Sequence, residues 1–188
     1  MAVAVVAGFI ATLIGYRNAH QPKGTAPTGL VPAPACQLSP STLSQTHTHN
    51  PTYSDESQSG DQYDAGCVWS QTTGIDGINP RTLRFGVHKF TGPAAEQHAH
   101  DEFQNHREMP HGIRPAGITD TADIGDQAAY QTAVQRDGTT TVALIVRKST
   151  TVVEVTYEGA DEGILWTTPM PFAQGEEITK LVANELLH

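Results

Sequence analysis

"TTTVALIVRKSTTVVEVTYE", residues 139–158, holds two strand-like runs joined at Lys148-Ser149-Thr150, and their pairing decides the fold. Both runs are rich in β-branched side chains, which suit a pleated surface. In the first, Val142, Leu144 and Val146 share one face while Ala143 and Ile145 share the other, so this strand reads as the most deeply buried of the chain. In the second, Val153, Val155 and Tyr157 alternate with Glu154, Thr156 and Glu158, the pattern of a strand with one solvated face. The short link predicts an antiparallel hairpin. Just upstream, "AAYQTAV" (128–134) connects through Arg136-Asp137-Gly138 and extends the pair to a three-stranded meander.

Further out, "CVWSQTT" (67–73) and "TLRFGVHKF" (82–90) flank the turn-rich "GIDGINPR" and read as a second hairpin. Leu83, Phe85 and Val87 alternate there with Arg84, Gly86 and His88. Between the hairpins, "TGPAAEQHAHDEFQNHREMPHG" (91–112) predicts a helix that Thr91 can cap, with Pro93 near its first turn and Pro110 and Gly112 stopping it. Ala95, Ala99 and Phe103 lie four apart on a thin apolar seam, flanked by Ala94 and Met109. The chain closes with "EEITKLVANELLH", in which Ile178, Leu181, Val182 and Leu186 recur at helical spacing and Glu176 and Glu177 suit the positive end of the helix dipole. Ser39 and Pro40 start a short helix over 40–46. The polar passage 46–66, the stretch 111–127 and "GADEGILWTTPMPFAQG" (159–175) read as loops. Together these elements predict an α+β fold: an antiparallel meander sheet of about five strands, with a middle helix and a C-terminal helix packed on it and an N-terminal apolar helix before it.

That N-terminal segment has no charged side chain from Ala2 to Tyr16. Its helix would be roughly 22 Å long, against about 30 Å for a bilayer core, which suits a signal or a short membrane anchor. Arg17 and Lys23 follow the apolar run and no basic residue precedes it, which opposes the usual export orientation. Such an order fits either a leader lacking a basic segment upstream or a weak anchor. Residues 18–35 contain four prolines and no apolar period, as a linker does. The expected organisation is therefore a signal or anchor helix over 1–17, a Pro-rich linker over 18–35 and an extracytoplasmic domain over 36–188, placed at the outer face of the membrane or secreted.

No acidic residue precedes Asp55, and beyond the linker nine basic groups face twenty acidic ones. A balance of that sign repels phosphate backbones, and no basic stripe with interleaved aromatics offsets it; nucleic acid is excluded as a partner. Cys36 and Cys67 show neither a CxxC pair nor the Cys/His spacing of a zinc module. In an exported chain they are expected to pair, closing a polar loop of about 32 residues for roughly 3 to 4 kcal/mol in the chain-entropy model. Lipid attachment at Cys36 is not expected, because Ala33 stands where a Leu-like residue would and Tyr16 lies some twenty residues away.

His98, Glu102 and His106 fall at four-residue intervals, so one helix face presents all three and is the candidate metal site. His47 and His49 lie in the polar passage. There is no GxSxG elbow, P-loop or GxGxxG, and no cofactor is expected. Trp166, Met170 and Phe172 on one loop form the candidate contact surface.

Four stretches, "PACQLS" (34–39), "CVW" (67–69), "GITDTADIGDQAAY" (117–130) and "ITKLVANEL" (178–186), together resemble an actinobacterial envelope family catalogued as domain of unknown function 3558, found in lipoproteins and membrane-anchored proteins. The resemblance implies an exported domain, a disulfide joining the matched cysteines and a sheet with flanking helices, broadly similar to extracytoplasmic sensor or binding domains. It carries over no catalytic residue. The expected function is non-enzymatic binding or sensing of a small-molecule or protein ligand, with the membrane as partner through the N-terminal segment. The alternatives are an envelope hydrolase or metal-dependent enzyme using the His/Glu face, and a structural subunit of an envelope complex.

Overall fold

The computed structural model describes residues 24–108, 116–163 and 166–188. The expected apolar helix over 1–17 and the helix stop at Pro110 and Gly112 lie outside the described residues, and among those residues no helix is long and apolar enough to cross a membrane.

The opening hairpin is as expected. Strands β6 (Thr140–Lys148) and β7 (Thr151–Glu162) pair antiparallel around a two-residue loop. Ser149 takes a positive φ of 54° in that loop. Hydrogen bonds hold it in this conformation, disfavoured for a residue with a Cβ: Ser149 N donates to Asp126 Oδ2 (2.6 Å), and Arg147 Nη1 donates to Ser149 O (3.0 Å). β5 (Gln127–Val134) continues the meander on the far side of β6.

The sheet is larger than the expected five strands. Among the described residues it has eight strands, which include β1 (Asn50–Ser59), β2 (Gln62–Ser70), β3 (Arg81–Phe90), β4 (Gly117–Thr121) and β8 (Thr167–Pro169); the order is β1-β2-β3-β7-β6-β5-β4 with β8 on the end of β7, and all these pairings are antiparallel. β1 and β2 arise from the passage expected to be a surface loop. β1 is polar on both sides because it is an edge strand that gains its hydrogen bonds from β2 and has little to bury. Cys67 accordingly sits inside β2 rather than opening a strand. β3 follows, and β4 and β8 are short edge strands inside other expected loops.

The second correction concerns β7. Its Glu154 face was expected to be wet, yet Glu154 and Thr156 are buried, because β7 runs in mid-sheet between β3 and β6 and a helix lies over part of that face.

Among the described residues, three α-helices cover the sheet. α1 (Pro40–Thr46) starts as expected, with Ser39 Oγ accepting from Thr42 N. α2 (Ala95–Glu108) packs Ala95, Ala99 and Phe103 against Phe90, Ala129, Ile145 and Val152. α3 (Phe172–Leu186) crosses the opposite face, where Ile178, Val182 and Ala183 meet the main core of Leu83, Phe85, Leu144, Val146, Val153, Val155 and Tyr157. Gly175 lets α3 approach: a Cβ there would come within 2.4 Å of Val142. Burial pushes the Tyr157 phenol up to about 12, and its hydroxyl donates to Thr46 O at 2.8 Å.

Cys36, at the end of a 3-10 turn (Pro34–Cys36), is disulfide-bonded to Cys67 with Cα atoms 5.6 Å apart. Trp69, two residues along β2 on the same face, donates from Nε1 to Cys36 O. The Pro-rich stretch just before is tied down too. Buried Asn50 donates to Ala26 O (2.8 Å) and accepts from Thr28 N (2.9 Å), and Thr25 forms a parallel bridge with Thr72. Nearby, buried Asp76 accepts from Thr72 N at 2.6 Å and His49 N at 3.1 Å and pairs with the His49 ring; burial alone would raise its pKa, but these donors outweigh that and hold it below the ordinary carboxylate value.

Candidate functional site

The face of β2, β3 and β7 that carries α2 is only partly covered by it. Strand alternation puts Asp64, Gly66 and Val68 on that face from β2, Arg84, Gly86 and His88 from β3, and Val152, Glu154 and Thr156 from β7. Gly66 and Gly86 stand opposite each other in the register, so two adjacent strands present no side chain there. The result is an open groove of about 620 Å³. Tyr53 borders it on the β1 side, and Arg84 with Glu158, 3.8 Å apart, closes one end.

The other end is a cluster of histidines and carboxylates. Asp64 and His88 are cross-strand partners, with the His88 Nδ1 2.7 Å from Asp64 Oδ1. From α2, Glu102 and His106 reach the same point, one turn apart. Glu102 Oε1 lies 3.0 Å from His106 Nε2 and 3.9 Å from His88 Nδ1. On its inner side His106 meets Glu154, Nδ1 to Oε2 2.8 Å. The two imidazoles lie 5.1 Å apart, centre to centre. Buried Gln131 pins the helix end that carries them, donating from Nε2 to His106 O (3.1 Å) and Arg107 O (2.8 Å).

The electrostatics follow from the count of charges. Three carboxylates converge on two imidazoles, so the cluster is net negative even with both rings protonated. Burial opposes the charge on His106, but the Glu154 and Glu102 carboxylates outweigh it and raise its pKa above the ordinary histidine value.

Among the described residues, His88, Glu102 and His106 form a group able to hold a metal ion, each offering a ligand atom within 4.8 Å of the others. Two of the three were expected. His98 is not brought into the group: it is exposed, its ring edge-on to Phe90 at 6.0 Å. A straight helix face cannot bring residues eight apart to one ion, and the third ligand comes instead from the strand beneath. His47 takes the left-handed position ending α1, and His49 serves Asp76.

The expected contact loop divides. Trp166 is 67% exposed and Phe172 40% exposed, but Met170 is buried in the core and its carbonyl accepts from Thr140 Oγ1. Met170 therefore contributes to packing, leaving the two aromatic residues outside.

Sequence reasoning missed Asp64, His88 and Glu154 as site residues. His88 and Glu154 were visible only as polar members of alternating strands and Asp64 as part of an expected loop; the Asp64–His88 register exists because β2 starts at Gln62, ahead of the expected Cys67, and the β3–β7 pairing joins segments about 70 residues apart. Comparison of the chain with protein-family models, curated proteins and solved structures finds no match.

Proposed function

We propose that this chain is an exported, non-enzymatic binding domain of the cell envelope, tethered by its apolar N-terminal segment or released, and that the β2–β3–β7 groove is where its ligand sits. The observation that carries the reading is the groove itself: a cleft of ligand size over two facing glycines, with a partly buried, net-negative cluster at one end. The Cys36–Cys67 disulfide supports an oxidising compartment, and the resemblance to the envelope family 3558 points the same way. The acidic cluster selects a ligand that is a cation or carries a cationic group, and disfavours phosphates.

The test is a titration of the protein with primary-amine and quaternary-ammonium compounds, followed by amide chemical shifts. Binding should move the Gly66 and Gly86 signals. In the variant Gly66→Leu, whose Cβ meets only Tyr53 Cε1 at 3.5 Å, the fold should persist and the shifts should vanish. Shifts that map elsewhere, or that survive Gly66→Leu, overturn the assignment of the groove.

A metal-dependent hydrolase is the second reading, favoured by two imidazoles and a carboxylate meeting at the mouth of an open cleft. It requires metal-dependent turnover of an ester or amide substrate that is lost with Glu102→Gln.

A further inference from the structure

We infer that His88, Glu102 and His106 bind a divalent transition-metal ion, zinc being the best fit, at the acidic end of the groove. The inference rests on the reading of the groove as a binding site and names the class of cation held there.

Four observations converge on it. First, the donor set is two imidazoles and one carboxylate, a combination that suits zinc and its neighbours rather than calcium or magnesium, which prefer oxygen throughout. Second, the spacing is already close. In a tetrahedral site with bonds of about 2.0 to 2.1 Å the ligand atoms stand about 3.4 Å apart. Glu102 Oε1 lies 3.0 Å from His106 Nε2 and 3.9 Å from His88 Nδ1, so small side-chain rotations suffice.

Third, while Asp64 Oδ1 lies 2.7 Å from the same His88 Nδ1 that faces Glu102 and so stands beside the ion, the buried His106 ring is oriented by a carboxylate outside the trio, its Nε2 toward Glu102 and its Nδ1 2.8 Å from Glu154. Such outer carboxylates fix the tautomer and the direction of metal-bound histidines. Fourth, the ligands stand on stiff elements. His88 is in a strand paired on both sides, and the helix end bearing Glu102 and His106 is held by Gln131. Three protein ligands leave a fourth position for water or a donor atom of the ligand, and His88 Nε2 lies over Gly86 at the groove floor.

An ion-pair network of purely structural purpose predicts a different outcome, so calorimetric titration of the chelator-treated full chain with zinc chloride decides. The expected result is one saturable equivalent per chain. Glu102→Gln and His88→Ala, both at partly exposed positions, should each weaken it at least a hundredfold; Glu154→Gln, changing only the outer partner of His106, should weaken it roughly 10- to 100-fold. His98→Ala, outside the group, should leave it unchanged. The chain has nine histidines, so weak zinc uptake that survives both Glu102→Gln and His88→Ala overturns the site, as does no saturable uptake at all. Absent zinc binding beside intact amine binding sinks this inference alone. Zinc binding with no amine-dependent shifts sinks the choice of ligand made for the groove and leaves the metal site standing.

Discussion

The two faces of the central sheet are built from the same strands by the same alternation, yet they do different work. On the α3 face, Leu83, Phe85, Val87, Val153, Val155 and Tyr157 interlock with helix, 3-10 turn and disulfide into one sealed apolar layer. On the α2 face, apolar packing centres on Phe90, Ala129, Ile145, Val152 and the helix seam, Glu154, Thr156 and Gln131 are buried as polar groups beside it, and the remainder is a groove of glycine, carboxylate and imidazole. Residues one apart along β3, such as Val87 and His88, thus belong to stability and to chemistry in turn. Apolar burial is non-directional and rewards continuous cover, whereas a binding site must keep polar side chains at the edge of open space.

If that division holds, the largest loss of stability comes from the sealed layer. Leu144→Ala deletes a fully buried side chain there and should cost about 3 to 5 kcal/mol in urea unfolding. A loss under about 1 kcal/mol would break the comparison.

Next comes the covalent tie at the rim of the same layer. Replacing Cys36 and Cys67 together by Ala should cost roughly 3 to 4 kcal/mol, read as a lower denaturation midpoint, with wild type plus reductant converging on the same value.

A smaller effect tests whether sealed polar groups are stabilising where open ones are not. Asp76→Asn removes the charge from a carboxylate that accepts two backbone N–H groups and pairs with His49. The expected cost is about 2 kcal/mol near neutral pH. Because its folded pKa is depressed, the contribution is complete above the unfolded value of about 4 and fades as pH falls through the lower folded value. Wild type and variant should therefore approach one another in stability under strongly acidic conditions, and a gap that stays constant with pH would contradict the assignment.

The smallest effect belongs to the groove. Arg84 and Glu158 form a half-exposed pair, and Arg84→Ala should change stability by no more than about 0.5 kcal/mol while altering ligand preference. A cost comparable with that of Leu144→Ala would mean that the groove is part of the core after all.

Legibility in the sequence followed burial. The 139–158 hairpin, the seam of α2 and the apolar stripe of α3 carry a period of two or 3.6 strong enough to read directly, and α1 is announced by its Ser39 cap and Pro40. β1 was not legible, because both its faces are polar; its one local signal was Gly60-Asp61, the two-residue loop between paired Ser59 and Gln62, with Gly60 at φ 58°. β4 and β8 are edges of five and three residues, too short for any period to appear. Of the cluster, Glu102 and His106 were readable because helix geometry puts residues four apart on one face.

Local patterning by itself determined the α+β class, the antiparallel hairpins, the helix positions and the cysteine pair, since each depends on residues near in the chain or on oxidation state alone. Tertiary structure decided which face of β7 is dry, that Met170 packs inside, and that His88, not His98, joins Glu102 and His106. Those outcomes depend on β3 lying against β7 and on α2 lying across both. Non-local packing chooses such neighbours through the summed burial of the whole sheet, which no single stretch encodes.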